Sequence, residues 1–142
     1  YLPSLINLFS EIARICRPSG LYLSQHKSPR SLQSSSQLNS NGRYELLYPE
    51  SYPAAHPRAL PPAPPSRLRE LGTDEFVHSL TDILGGICQA GFHVEDFFEP
   101  CEFKEESSVG SYAHRAAFLP PYIRILARKG SSQAILQSLV VQ

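Results

Sequence analysis

Leu5, Phe9, Ile12 and Cys16 recur at helical spacing near the front of the chain. They predict an amphipathic helix over residues 4–16. Pro3 suits its first turn, where a missing N–H leaves no partner unsatisfied. Pro18-Ser19-Gly20 predicts a turn that stops the helix. Leu21 to Gln25 then reads as a short, mostly apolar strand. Helix, turn and strand in this order are the second half of a βαβ unit, which needs a partner strand before residue 1. The expectation is an α/β domain whose Rossmann-like sheet is incomplete in this chain.

No period of 3.6 or 2 persists from Lys27 to Arg69. Ser and Gln crowd residues 31–37, and prolines crowd residues 49–65. A structureless stretch of this length is a functional cover or partly disordered. Tyr44, Leu46, Leu47, Tyr48 and Tyr52 are too apolar for a pure linker, so residues 43–52 are expected to pack on something. Residues 53–66 read as extended, with polyproline character. Thr73 is expected to cap a second helix, with Asp74 and Glu75 at its positive end. Phe76, Leu80, Ile83, Leu84 and Ile87 form its apolar face. Gly85-Gly86 costs about 1 kcal/mol per glycine relative to Ala in a helix interior. Close packing against a strand or a ligand is the expected compensation. Gly91 ends the helix. Phe92 to Phe98 follows as a strand, residues 101–115 as a polar loop, and Tyr122 to Arg128 as a last strand. Residues 1–129 thus read as one domain with an inserted cover, 27–69. Residues 130–142 read as a tail, its last dozen a short amphipathic helix or frayed.

Composition narrows the function classes. The formal net charge is zero and 42% of residues are hydrophobic, which supports a packed core but gives no broad electrostatic footprint for nucleic acid or an anionic membrane. Cys16, Cys88 and Cys101 are odd in number and form no CxxC pair, so a reducing compartment, the cytoplasm, is expected. No apolar run approaches the ~20 residues of a membrane span, and no signal-peptide pattern opens the chain. There is no methionine, and residue 1 is a tyrosine. The chain therefore reads as a fragment, a processed product or a gene reading that lacks its front.

The usual signatures of chemistry are missing: no GxGxxG, P-loop, GxSxG or HExxH, and no His/Cys cluster at metal-ligand spacing. Among five histidines, His26 and His78 stand out by position. His26 follows the first strand, at the edge where open α/β sheets bind ligands. His78 lies off the apolar stripe of the second helix, near its start. The alternative for each is a partly buried, hydrogen-bonded structural histidine. Two dense stretches carry more: Ser24-Gln-His-Lys-Ser-Pro-Arg-Ser-Leu-Gln33, and Gly110-Ser-Tyr-Ala-His-Arg-Ala-Ala-Phe-Leu-Pro-Pro-Tyr-Ile-Arg124.

In these stretches and their neighbours the chain resembles the C-terminal half of class I S-adenosylmethionine-dependent methyltransferases, in their small-molecule, ubiquinone-biosynthesis-like branch. Tyr1-Leu2-Pro3 is similar to the end of that family's His-Tyr-Leu-Pro-like turn. Glu11-Ile-Ala-Arg-Ile-Cys-Arg-Pro-Ser-Gly20 is similar to its "EIaRvLrPgG" helix end, with Ser19 for the usual first Gly. Leu84 to Phe92 resembles its "Leu-…-Ala-Gly-Phe" helix end. Leu119 to Ile123 resembles the "Leu-Pro-Pro-Tyr-Ile" that leads into the last strand of its closing antiparallel hairpin. The resemblance covers roughly residues 1 to 129. It implies strands 92–98 and 122–128 paired antiparallel, with strand 21–25 parallel to 92–98. It also implies a methyl donor, S-adenosylmethionine, in the parent enzyme. The glycine-rich turn and strand-ending acid that hold that donor have no counterpart here, so the chain alone is expected neither to bind it nor to be active. Tyr1 is expected only to border its pocket.

Two functions follow. One is a piece of a methyltransferase acting on a small-molecule acceptor. His26 or His78 is then the optional general base. Gln25, Tyr44, Tyr48 and Tyr52 are its expected acceptor-binding residues, the tyrosines as an aromatic lid. Phe118 and Pro120 form the far wall by resemblance only. No metal is expected. The other function is a non-catalytic α/β module that offers Pro61-Pro-Ala-Pro64 to a groove for proline-rich peptides.

Overall fold

The computed structural model describes residues 2–50, 58–62, 66–70, 72–100 and 104–131. Its sheet has three strands, β1 (Leu21–Lys27), β2 (Phe92–Phe98) and β3 (Tyr122–Lys129), in the order β1-β3-β2. β3 pairs antiparallel with both neighbours. The expected pairing of 92–98 with 122–128 is therefore present, with a register shift between Val94 and Asp96. β1 and β2 run in the same direction, as expected, but they do not touch, because β3 lies between them. Among the described residues no helix is long and apolar enough to cross a membrane.

One face of the sheet carries the core. Ile123, Ile125 and Ala127 of β3 are fully buried on it, at the two-residue period that puts alternate side chains on one face. Helix α1 (Ile6–Ile15) covers this face with Leu5 and Phe9, and Ile12 and Cys16 pack at the margin. The predicted stripe is thus the buried one. Lys129 closes the far end of α1: its ammonium donates to the carbonyls of Ala13 and Cys16, the latter at 2.7 Å. A cation there satisfies free carbonyls and suits the negative end of the helix. The opposite sheet face is uncovered among the described residues, and Leu23 of β1 is 73% exposed there.

The second helix departs from expectation. Residues 73–79 are not helical, and Thr73 caps nothing. Helical backbone begins after Ser79, runs as a π-helical segment over Thr81–Gly85, and continues as α3 (Gly86–Gln89). Ser79 and Asp82 explain the start. Ser79 Oγ accepts from the Asp82 N–H at 3.0 Å, and Asp82 Oδ2 accepts from the Ser79 N–H at 3.0 Å. This reciprocal pair satisfies donors that a new helix leaves open. Thr73 has Phe76 three residues on and cannot form it. Gly91 ends α3 with φ +88°, a left-handed value that favours glycine.

Two short helices occupy stretches expected to lack structure: α2 (Pro29–Gln33) within the cover, and α4 (Tyr112–Phe118) at the end of the polar loop. Pro29 starts α2 with its fixed φ. Ser111 Oγ accepts from the His114 N–H at 3.2 Å and starts α4.

The glycine pair is resolved by one neighbour. A Cβ on Gly86 would meet the Phe9 ring at 2.7 and 2.9 Å, whereas one on Gly85 would meet only Thr81 at 3.9 Å. The compensation is a ring on another helix, not a strand or a ligand. Gly86→Ala is expected to lose roughly 1–3 kcal/mol by overpacking against a buried ring. Gly85→Ala is expected to gain up to about 1 kcal/mol from helix propensity. Ser19 sits at φ +60° in the turn after α1, where a Cβ costs roughly 1–2 kcal/mol. Ser19→Gly should therefore raise stability. Denaturant midpoints of the three variants check all three signs.

Candidate functional site

A cavity of about 390 Å³ opens at the C-terminal end of β1. Leu2, Leu5 and Leu8 supply one wall from the front of α1, with Phe76 and Ile83 beside them. Gln25, His26 and Lys27 supply the sheet edge, and His78, Glu70 and Glu75 the polar remainder. β1 extends two residues beyond expectation, so His26 lies inside the strand rather than after it. By strand alternation it shares the covered face with Tyr22 and Ser24. Its ring meets Phe9 edge-on at 6.4 Å, and its Nε2 is 3.1 Å from Ser24 Oγ.

His78 is held differently. It sits in the non-helical stretch before Ser79, not in a second helical turn. Its Nε2 is 2.8 Å from the Leu2 carbonyl oxygen. A carbonyl only accepts, so Nε2 carries the proton and Nδ1 keeps a free lone pair. Burial pushes both imidazoles below the ordinary value. For His26 the neighbouring charge of His78 adds to burial, and for His78 the bond to Leu2 works against it. The site thus holds two imidazoles that burial favours in the neutral form, between apolar walls, and His78 further opposes protonation of His26. Such groups accept a proton near neutral pH.

An ion cluster fixes the polar side. The Glu75 carboxylate, 4% exposed, receives Lys27 Nζ on one oxygen and Arg69 Nε on the other. Glu70 lies 3.5 Å from the same Lys27. Burial alone would push the Glu75 carboxyl up, but its bonds to Lys27 and Arg69 outweigh that and hold it down. Glu75 is therefore a buried tie between β1 and the returning cover, not a partner for a helix end. The cluster also bears on the donor that the resemblance implies. Each oxygen of this carboxylate already meets a cation, and β1 runs into Ser28-Pro29 rather than a glycine-rich turn. The described residues do not fit a sulfonium nucleoside.

The other expected site residues disperse. Gln25 borders the cavity, but its side-chain oxygen accepts from Arg124 at 2.7 Å on the exposed face. Tyr44 and Phe118 line a separate groove beyond α2. Tyr48 packs on Leu32, Leu60 and Val77. The structure thus does not lay Tyr44 or Tyr48 over the two histidines as a lid. Pro120 lies half-buried between α4 and β3, outside both hollows. Tyr1, Tyr52, Ala63 and Pro64 lie outside the described residues, as does the tail from residue 132. The Pro61 carbonyl accepts from Arg69 Nη2 at 2.8 Å. Among the described residues no three His, Cys, Asp or Glu side chains gather as a metal site.

Arg115 is the buried positioning residue that the sequence hid. It is 1% exposed. Its guanidinium donates to the carbonyls of Ser31 and Ser35 at 2.8 and 2.9 Å, to Ser31 Oγ at 2.8 Å, and to the Ser34 carbonyl at 3.3 Å. The Ser28 N–H donates to the Pro121 carbonyl at 2.9 Å. The two dense sequence stretches are therefore one junction, which backs the cavity.

Acid should weaken this structure for two reasons. His26 and His78 have folded values below the 6.5 of an ordinary histidine. The unfolded chain then binds protons first, so their contribution is whole above about pH 6.5 and is lost as pH falls through the lowered values. Glu75 has a folded value below 4.5, and its contribution is lost at still lower pH, as pH falls through that value. Urea midpoints should decline first below about pH 6.5 and again below about pH 4.5. Histidine NMR titrations should put both rings below the free residue. Glu75→Gln should remove the lower step and cost roughly 3 kcal/mol by stranding Lys27 and Arg69.

Comparison with known proteins shows the fold. No family model and no curated protein matches the sequence. Among solved structures, the chain is similar to an S-adenosylmethionine dependent methyltransferase from Mesorhizobium loti, with a TM-score of 0.60 at 13% identity over 91% of this chain. It is also similar to a putative S-adenosylmethionine dependent methyltransferase from Listeria monocytogenes, with a TM-score of 0.60 at 14% identity over 92% of this chain. The chain spans 57% of the length of each. It carries part of the Rossmann-like α/β fold of those methyltransferases.

Proposed function

We propose that this chain forms the acceptor side of a methyltransferase that acts on a small molecule, with the donor-binding part of the fold lying outside these residues. The observation that carries the reading is the paired neutral imidazoles of His26 and His78 in one apolar cavity at the C-terminal end of β1, the edge where α/β sheets take their ligands. The sequence pieces Pro18-Ser-Gly20, Ala90-Gly-Phe92 and Leu119-Pro-Pro-Tyr-Ile123 favour the small-molecule, ubiquinone-biosynthesis-like branch. The likeness of fold supports the reaction class without proving it.

The chain's own part in such a reaction is positioning and proton removal. Leu2, Leu5, Leu8 and Phe76 exclude water from the acceptor, which raises the reactivity of an oxygen nucleophile held there. His78 Nδ1 offers the free lone pair that takes the hydroxyl proton, and His26 lies next to it as the second candidate. The Lys27–Glu75–Arg69 cluster keeps the sheet edge and the cover in register around them.

Calorimetry of this chain with S-adenosylmethionine should give no heat up to millimolar donor; micromolar binding would refute the division of labour. In a longer protein carrying the front of the sheet, His78→Ala should lower turnover of a hydroxyl acceptor about 10²-fold, within the range of general-base catalysis, and leave donor affinity unchanged. Unchanged turnover in both His78→Ala and His26→Ala sinks the proposed chemistry.

A further inference from the structure

A second hollow, about 620 Å³, lies on the far side of α2 from the histidine cavity. Its floor is aromatic. Tyr44, His114 and Phe118 stand ring to ring, with centroids 5.2 to 6.0 Å apart. Its rim is apolar and open to solvent: Leu46 is 71% and Val109 78% exposed. A cluster of exposed apolar side chains of this kind marks a contact surface more often than a chance arrangement.

The polar groups of the hollow select one charge sign. Arg30 and Arg43 line it, and no Asp or Glu does, in a chain whose formal net charge is zero. Arg30 is committed to Glu99 outside the hollow, at 3.0 Å. Among the described residues no carboxylate pairs with the Arg43 guanidinium. The loop that presents Arg43 is tied down: Asn39 Oδ1 accepts from the N–H groups of Asn41 and Arg43 at 2.9 and 3.0 Å, and Ser34 bridges to Leu46.

His114 adds a neutral donor. The Gly110 N–H approaches its Nδ1 at 3.3 Å, and Tyr44 Oη lies 3.0 Å from the same nitrogen. A backbone N–H only donates, so Nδ1 is the bare acceptor and the neutral ring carries its proton on Nε2. Burial pushes the Tyr44 phenol up, so it stays protonated and donates to Nδ1. The hollow therefore combines a stacking floor, an N–H donor and an uncompensated guanidinium.

We infer that this hollow is a binding site for a small aromatic carboxylate, its ring on Tyr44, His114 and Phe118 and its carboxylate on Arg43. Arginine's planar fork matches a carboxylate bidentately, and offset or edge-on aromatic packing holds a ring in such a hollow. The inference does not depend on the methyltransferase reading, because none of these residues lines the histidine cavity.

The test uses this 142-residue chain with 2-naphthoate and its neutral match 2-naphthamide as probes. Fluorescence titration should show saturable naphthoate binding below millimolar, and naphthamide at least about tenfold weaker, the order of one good charge-assisted contact. Rising salt should weaken naphthoate only. Arg43→Gln, at an exposed loop position, should weaken naphthoate about tenfold and leave naphthamide unchanged. NMR shifts should fall on His114, Leu46 and Phe118. Equal affinity for the two probes, no saturation with naphthoate, or shifts confined to His26 and His78 would each overturn the inference. A melting curve of Arg43→Gln that matches the parent protein's keeps the comparison valid. If the variant melts early, the salt dependence and the naphthamide comparison on the parent protein decide alone.

Discussion

The described residues are arranged around β3, the last of their strands in sequence and the middle one of the sheet. Its buried row Ile123, Ile125 and Ala127 is the floor on which α1, the π-helical segment and α3 all rest. Because it is antiparallel to both neighbours, its first residues meet the last residues of β1: Lys27 pairs with Tyr122 and His26 with Ile123. That register alone brings the Leu-Pro-Pro-Tyr-Ile stretch against the end of the Ser-Gln-His-Lys strand, and the cavity forms where they meet. Loop closure over the long span between the two strands is unfavourable, and the burial of this apolar row helps to offset it.

How much of the fold is legible in the sequence follows from the range of each signal. Helix α1, β2 and β3 are set by local periodicity against one flat surface, and they lie where the pattern of Leu5, Phe9 and Ile12 or of Ile123 and Ile125 puts them. The start of the second helix is also a local signal, but Thr73 is not its source. Ser79-Leu-Thr-Asp82 holds the serine and the acid three residues apart, as a reciprocal cap requires, and Thr73 lacks the acid. Helices α2 and α4 are five and seven residues long, too short for a 3.6-residue period to declare itself. Tertiary contacts hold them, and those are invisible one residue at a time.

The buried charges show the same limit at the site. Arg115 lies some 80 residues from the serines that satisfy it, and Glu75 lies 48 residues from Lys27. Nothing nearby in sequence distinguishes Arg115 from a solvated arginine, or Glu75 from an acid at a helix end. In the structure each is compensated in the way burial demands. Among the described residues no carboxylate pairs with Arg115, which relies on carbonyls at the end of α2, where the helix is electronegative. Glu75 has two cations. Leaving either partner set unsatisfied costs several kcal/mol, so these contacts fix where the cover runs far more tightly than its apolar content does. His26 and His78 both line one cavity, but not for the reasons their local positions suggest: His26 lies within β1 and His78 lies before the helix begins. Tyr44 and Tyr48 do not close over the two histidines, because aromatic residues of a cover need not pack on the nearest polar site.

Helix α2 ties the two hollows together. Five residues serve three purposes. Leu32 lines the histidine cavity, Arg30 and the adjoining Ser34 line the aromatic hollow, and Ser31 takes the Arg115 guanidinium. So short a helix is not stable by propensity, and its position is the sum of these contacts. A shift of α2 toward one hollow necessarily moves a wall of the other, and Arg115 resists both movements because its donors are spread over Ser31, Ser34 and Ser35. The dense serine-rich stretch after β1 therefore makes sense as a fixed wall shared by the two hollows. Small side chains let the guanidinium approach the backbone, and one leucine and one arginine face opposite ways.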